Sequence, residues 1–342
     1  MKVSVVILNW NGCDMLRTFL PSVVRYSKGE GIEVCVADNG STDDSVALLQ
    51  QEFPSVRTIV LDRNYGFADG YNLALQQVDA EYVVLLNSDV EVTEHWLEPM
   101  VAYLDAHPEV AACQPKIRSQ RQKEYFEYAG AAGGFIDKYG YPFCRGRIMG
   151  VVEKDEGQYD IVIPVFWATG AALFIRRADY VNVGGLDGRF FAHMEEIDLC
   201  WRLRSRNREI VCVPQSIVYH VGGATLKKEN PHKTFLNFRN NLVMLYKNLP
   251  QEELNKVMRI RTCLDYLAAF NFLLQGHWDN ASAVMRARKE YKRLCPSFSL
   301  SREENMRKKT LNPIPERTKS SILWQFYARG CKRFSQLSDL KG

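Results

Sequence analysis

Asn87, Ser88 and Asp89 stand at the end of an apolar run, Tyr82 to Leu86. Such a run suits a strand buried on both faces of a parallel sheet. Short polar residues at the carboxyl end of that strand stand where open α/β sheets bind ligands. The Asp89 carboxylate offers hard oxygens, which suit Mg²⁺ or Mn²⁺ held jointly with a diphosphate. The plainer reading is a turn, with Thr93 capping the next helix. A second acidic group, Glu195, Glu196 and Asp198, crowds the first turn of a helical pattern that runs to about Arg206. A helix N-terminus favours negative charge. Three acids exceed what capping requires, and a carboxylate set among like charges is a candidate general base. On this helix Ile197, Leu199, Trp201 and Leu203 are inward-capable, with Arg202, Arg204 and Arg206 outside. His220 follows a β-rich segment and opens His220-Val-Gly-Gly-Ala-Thr225. It reads either as a structural histidine or as a ligand.

These residues need a frame, and the first hundred residues supply a regular one. Strands are expected over Val3–Leu8, Ile32–Ala37, Val56–Leu61 and Tyr82–Leu86. Helices are expected over Met15–Val24, from Ser41 to about Glu52, over Ala68–Val78 and from about Glu94 to Ala106. Ser41 is read as the N-cap of the second helix, with Asp44 reaching back. Strand–helix units of roughly 25–30 residues predict a parallel sheet with right-handed crossovers. Each strand ends in polar or glycine-rich residues: Asn9-Trp10-Asn11-Gly12, Asp38-Asn39-Gly40-Ser41, Arg63-Asn64-Tyr65-Gly66 and Asn87-Ser88-Asp89. A parallel sheet brings all four to one edge, as a nucleotide crevice requires. No Gly-x-Gly-x-x-Gly follows the first strand and no P-loop signature occurs, which disfavours dinucleotide dehydrogenases and P-loop enzymes.

From about Ser119 to Gln158 the pattern is irregular and suits a mobile lid over the crevice. A strand is expected within Trp167–Arg176, with a glycine for close approach, and Trp167 is placed with the crevice residues. Short strands are expected at Ile210–Val213 and Ser216–Tyr219. Beyond Phe235 the chain turns helical over Phe235–Lys247, Glu252–Gln275 and Ala281–Leu294. The division expected is residues 1–234, 235–296 (helical) and 297–342 (a basic, partly disordered tail, ordered near Ile322–Phe326).

The chain has 342 residues, 46% hydrophobic and 25% charged, an ordinary globular balance. No stretch has the ~18 apolar residues of a membrane span. No leader peptide is expected at the N-terminus. The nine cysteines are scattered and form no Cys-x-x-Cys pair, which points to reduced thiols in the cytoplasm. The net charge of +4 is uneven: Arg286 to Arg333 holds 14 Lys/Arg against 4 Asp/Glu, a local +10 that leaves −6 elsewhere. The basic end fits either a solvated tail or peripheral contact with an anionic membrane, at the inner face of the plasma membrane. The apolar stretch Leu264–Leu274 is too short to span and is either a core or an interfacial helix.

Five blocks in order carry a family resemblance: Val3 to Gly12, Val36 to Asp43, Asn64 to Asn72, Leu85 to Asp89, and Gly184 to Arg204 with His220 behind it. Over about Met1 to Lys247 the chain resembles the inverting family 2 glycosyltransferases of GT-A fold. It is similar to their bacterial rhamnosyl- and galactofuranosyltransferase branch. The resemblance implies a Rossmann-like, mostly parallel α/β sheet flanked by helices, followed by a C-terminal helical region. It implies that Trp10 edges or stacks on the nucleotide base and that Asp38 contacts the base. Asn64, Gly66 and Asn72 would line the sugar-nucleotide side, with Asn9, Asn11, Asn87 and Ser88 beside them. Asp89 would be the firm metal ligand, since Asn87 replaces the usual first Asp, and His220 would complete the metal site. Glu195-Glu196 falls on the family's Glu-Asp pair, whose second member is the base. Glu in place of Asp at 196 moves the carboxylate by ~1 Å.

The expected activity is inverting transfer of a sugar from a UDP- or dTDP-sugar to a glycan or lipid-linked acceptor of cell-surface polysaccharide. No nucleic-acid partner is expected. Two other classes remain open from the residues alone. A nucleotidyltransferase would want a lysine-rich loop after the first strand, and Asn9-Trp10-Asn11-Gly12 has no lysine. A non-catalytic nucleotide-sugar-binding protein would not need Asp89, Glu196 and His220 together.

Overall fold

The computed structural model describes residues 1–222 and 230–337. The first hundred residues alternate as expected: strand β1 (Val3–Asn9), helix α1 (Cys13–Tyr26), β2 (Ile32–Asp38), α2 (Ser45–Glu52), β3 (Arg57–Val60), α3 (Gly66–Gln76) and β4 (Tyr82–Asn87). A short β5 (Val90–Val92) follows, then α4 (Glu98–Ala106) and β6 (Val110–Ser119). The middle holds β7 (Gly134–Ile136), β8 (Pro142–Cys144), β9 (Arg147–Ile148), β10 (Val151–Val152) and β11 (Ile163–Pro164). Next come β12 (Ala172–Arg176), α5 (Arg177–Asn182), α6 (Glu195–Ser205) and β13 (Glu209–His220). Helices α7 (Pro231–Asn248), α8 (Gln251–Leu274), α9 (Trp278–Leu294), α10 (Ser299–Lys308) and α11 (Ile322–Tyr327) complete the chain.

The main sheet has the order β11-β13-β6-β12-β4-β1-β2-β3, with β5 added against β13. Strands β3, β2, β1 and β4 run parallel, as do β6 and β13, while β12 is antiparallel to both β4 and β6. The sheet is therefore mixed but mostly parallel. Register sets the functional edge: Asn9 pairs with Asp38, and Leu8 with Asn87. Alternation along the strands feeds two cores. Val3, Val5, Ile7, Val84 and Leu86 pack under α1, α2 and α4, whereas Val6, Val83 and Leu85 face α3 and α6. Each such buried aliphatic side chain contributes about 1.5–3 kcal/mol relative to an exposed one.

Several expectations are corrected. Helix α2 starts at Ser45, because Asp43 accepts the Ser45 amide (3.1 Å) and the Cys13 amide (3.0 Å); Ser41 caps nothing and instead accepts the Asn11 amide (2.9 Å). Residues 119–158 are not a loose lid. Strands β7 to β10 form a second sheet, and Phe126, Phe135, Phe143 and Ile148 bury it against the body. The two short strands before His220 are one strand, β13, with an irregularity between Val213 and Ile217. Arg202 and Arg204 are buried, not outside, because the following chain folds over α6: Glu316 pairs with Arg204 at 2.7 Å.

The segment read as a partly disordered tail folds back over most of its length. The Asp137 carboxylate accepts the Ile322 amide (2.9 Å), and Phe334 packs on Phe135. Residues 338–342, and Gly223 to Thr225 of the expected histidine–glycine segment, lie outside the described residues. Among the described residues no helix is long and apolar enough to cross a membrane.

Candidate active site

The crevice is built from the loops that leave β1, β2 and β4. Asn9 is buried at the end of β1 and donates to the Asp38 carboxylate (3.1 Å). Asp38 also accepts the Ser41 amide (2.9 Å), and Asn11 accepts the Thr42 amide (2.7 Å). The two loops are thus laced together before any ligand arrives. Trp10 stands out from them, 49% exposed, with its ring free. The third loop is tied in by Asn39, which donates to Asn64 (3.1 Å) and to the Gly66 carbonyl (3.0 Å). Gly66 has φ +77° and opens α3. A Cβ there would lie 2.6 Å from the Phe191 ring, so only glycine permits that approach.

At the end of β4 the side chains of Asn87 and Asp89 converge with strand β13. His220 Nε2 lies 3.1 Å from Asp89 Oδ1, and the Asn87 amide nitrogen is 3.4 Å from the same ring nitrogen. Ser88 stands across from Gly12. Behind the ring, Glu127 Oε2 is 3.4 Å from His220 Nδ1. Burial alone would lower the His220 pKa, but the Asp89 and Glu127 carboxylates outweigh it and raise it to about 10. Burial raises Asp89 in turn, and the His220 partner more than offsets this, holding its carboxyl below the usual range.

This pair fits a divalent ion. A carboxylate and an imidazole nitrogen point at one spot, and a second carboxylate behind the imidazole would orient it, as at many metal-bound histidines. Among the described residues no cluster of three His, Cys, Asp or Glu forms a ready cage. Two protein donors therefore leave positions for phosphate oxygens and water, the pattern of Mg²⁺ or Mn²⁺ shared with a substrate.

Helix α6 brings its three acids to different places. Asp198 is fully buried and fully used: it accepts from Arg202 (2.9 Å), Lys247 (2.7 Å) and Asn248 (2.8 Å). Glu195 is buried and has an oxygen without a partner. Glu196 is only half-buried, and one of its oxygens also lacks a partner. Its Cβ lies 3.8 Å from where a side chain on Gly170 would start, and the neighbouring Ala171 carbonyl accepts the Asn87 amide (3.0 Å). Glu196 thus stands over the end of β4, beside the Asn87–Asp89 turn. Burial lifts its pKa to about 7. Burial, and then the Glu196 charge, lift Glu195 well above the usual carboxylate range. Two acids pushed apart in this way can divide proton roles at neutral pH.

Two expected crevice residues are used elsewhere. The Asn72 side chain holds the loop before α6 by exchanging hydrogen bonds with Leu186 (2.8 and 3.1 Å) and accepting from Tyr180 (2.6 Å). Trp167 is a core residue whose indole donates to the Phe135 carbonyl (2.9 Å).

Two residues escaped sequence reasoning. Glu127 sits in the irregular middle, with no motif around it. Asn240 lies in helix α7 and donates to the carbonyls of Phe190 (3.0 Å), Ala192 (2.8 Å) and His193 (2.8 Å). It grips a loop in which Phe191, His193 and Met194 all have positive φ, a strain of order 1–3 kcal/mol per residue. The sequence signal was its place in the paired Asn240-Asn241 of the helix.

Residues 4–149 match the glycosyl transferase family 2 model. Over these residues the chain carries a family 2 glycosyl transferase domain. It is similar to an N-acetylglucosaminyl-diphospho-decaprenol L-rhamnosyltransferase of Mycobacterium tuberculosis, at 27% identity over 230 residues, 63% of this chain and 75% of the relative. It is also similar to the O-antigen biosynthesis protein RfbC of Myxococcus xanthus, 27% identical over 231 residues. That match takes in 67% of this chain but only 18% of RfbC. In architecture the chain resembles the crystal structure of GalNAc-T7 with UDP, GalNAc and Mn²⁺, with a TM-score of 0.59 at 15% identity over 93% of this chain and 59% of that one. The fold is GT-A.

The fully paired Asp198 yields a stability prediction. Asp198→Ala leaves Arg202 and Lys247 buried with a missing partner, so it should cost about 3–5 kcal/mol in urea unfolding. A loss below 1 kcal/mol would remove Asp198 as the anchor of α6.

Proposed function

We propose that the chain is a glycosyltransferase that transfers a sugar, with inversion, from a UDP- or dTDP-sugar to a glycan or lipid-linked acceptor of a cell-surface polysaccharide. The observation that carries this reading is the placement of Glu196, half-buried and with an unpartnered oxygen, over the strand end that bears Asp89 and His220. A single base facing a cation site suits direct displacement at the anomeric carbon. A retaining hydrolase would need a second carboxylate as nucleophile.

In this reading Trp10 offers its exposed ring to the base and the Asn9–Asp38–Asn11 lattice holds the nucleoside. Asn64, Gly66, Asn87 and Ser88 line the path of the diphosphate and sugar. Asp89 and His220 would hold Mg²⁺ or Mn²⁺, which when bound supplies positive charge for the leaving diphosphate. Glu196 takes the proton from the acceptor hydroxyl, on the face opposite the leaving group. Glu195, held protonated by burial and by its neighbour, leaves that role to Glu196. The name of the mycobacterial relative specifies a diphospho-decaprenol acceptor for that protein, which supports a lipid-linked acceptor here. Nine free cysteines suit a reducing compartment such as the cytoplasm, where sugar nucleotides are made, and acceptor use there favours peripheral membrane contact.

The base is tested with Glu196→Gln, which should bind UDP as the wild type does and lower turnover by about 10²–10⁴-fold. Near-wild-type release of nucleoside diphosphate from that variant would reject Glu196. The metal site is tested by calorimetry. UDP should bind more tightly with Mn²⁺ than with EDTA, and Asp89→Ala should erase the difference. Binding indifferent to EDTA in the wild type would reject the site.

A further inference from the structure

Helix α8 is built inside out near its carboxyl end. Its inner face carries the buried ions Arg261 and Asp265, closed by Arg288 from α9. Its outer face carries Tyr266, Leu267, Phe270 and Leu274, at helical spacing and 48–71% exposed, with Trp278 at 70% just beyond the turn. A helix that hides its charges and shows its apolar residues is solvated by something other than water. A patch this continuous marks an interaction surface.

Beside it, α9 exposes Arg286, Lys289 and Lys292, with Arg293 paired to Glu290 and Asp279 as the acid near the tip. Some cations farther along the chain are held within the fold, Arg302 on the Tyr246 and Leu249 carbonyls, Arg317 on Glu253 and Lys308 on Glu304, while Arg307, Lys319, Arg329, Lys332 and Arg333 are exposed. The hairpin thus sets exposed positive charge directly beside the apolar patch, which the C-terminal cations do not adjoin in sequence.

We propose that the α8–α9 hairpin is the membrane-docking element, with its apolar tip in the headgroup–acyl boundary of an anionic bilayer and the α9 cations on the headgroups. A second copy of this chain fits less well, since a two-fold contact would set the α9 cations of both copies against each other. The hairpin also points the right way. Asn280, at the tip, donates to Thr234 in the first turns of α7 (2.8 Å), and Asn240, roughly 9 Å further along that helix, grips the loop before Glu196. The use of this geometry rests on the lipid-linked acceptor proposed above; vesicle binding itself does not.

The test is co-sedimentation of the full chain with phosphatidylcholine vesicles, with and without phosphatidylglycerol, beside release of nucleoside diphosphate from a sugar nucleotide in lipid-free solution. The wild type should bind the anionic vesicles preferentially. The pair Leu267→Ser and Leu274→Ser, and separately Lys289→Glu with Lys292→Glu, should each weaken binding by about tenfold or more. Release in solution should be unchanged, so that its loss in the wild type would count against the glycosyltransfer reading alone. Equal or absent binding to both vesicle types overturns the proposal. A lipid-free dimer dissolved by the leucine pair overturns it in favour of a second copy.

Discussion

Asp198 is the constraint on which the site depends. It is fully buried at the start of α6, and it meets two cations, one on its own helix and one on α7. Lys247 extends the cluster to Asp187, at the other end of the loop that leads into α6 (2.7 Å). Removing one partner from such a set costs several kilocalories per mole, so the rotation of α6 is fixed. Glu196 is two residues before Asp198, roughly 200° away around the axis. Anchoring Asp198 inward therefore turns Glu196 out toward the end of β4. The helix dipole would lower the pKa of an acid here by only a fraction of a unit, at about 0.3–1 kcal/mol. Burial wins, because Glu196 is raised to about 7.

The two sides of the crevice are held by different means. The nucleotide side is rigid by sheet register, with Asn9, Asp38 and Asn87 on neighbouring strands and their loops cross-linked by side-chain amides. The side that bears Glu196 hangs on helices. The strained loop Phe191–Met194 stays in place because Asn240 satisfies three of its carbonyls, and Asn240 belongs to the C-terminal helices. The placement of Glu196 thus depends on helices outside the family-matched residues 4–149. It is through those helices that an event at a membrane surface would reach the base.

Much of this was legible in the sequence, for local reasons. Strands β1 to β4, their polar ends and helix α6 are encoded by short patterns in which periodicity and turn chemistry agree. What was not legible depends on distant partners. Arg202 and Arg204 look like a solvent face until Asp198, Glu316 and the returning chain are placed around them. Asn72 and Trp167 have the right residue types for ligand contact, but tertiary packing assigns them to Leu186 and Phe135. Glu127 reaches His220 only because the irregular middle folds into its own small sheet. The outward apolar stripe of α8 was visible as an apolar stretch, but its direction followed only from the buried Arg261–Asp265–Arg288 cluster.

In the mechanism proposed above, burial makes Glu196 the base by holding its pKa near neutrality. The direct measurement is the pH dependence of kcat/KM, followed by nucleoside diphosphate release at saturating metal. A base must be ionised to act, so the rate should rise with pH through an acid limb near pH 7, where Glu196 titrates. That limb should vanish in Glu196→Gln. An acid limb at about pH 4–5, the range of an ordinary carboxylate, or a limb that persists in Glu196→Gln, would contradict the account.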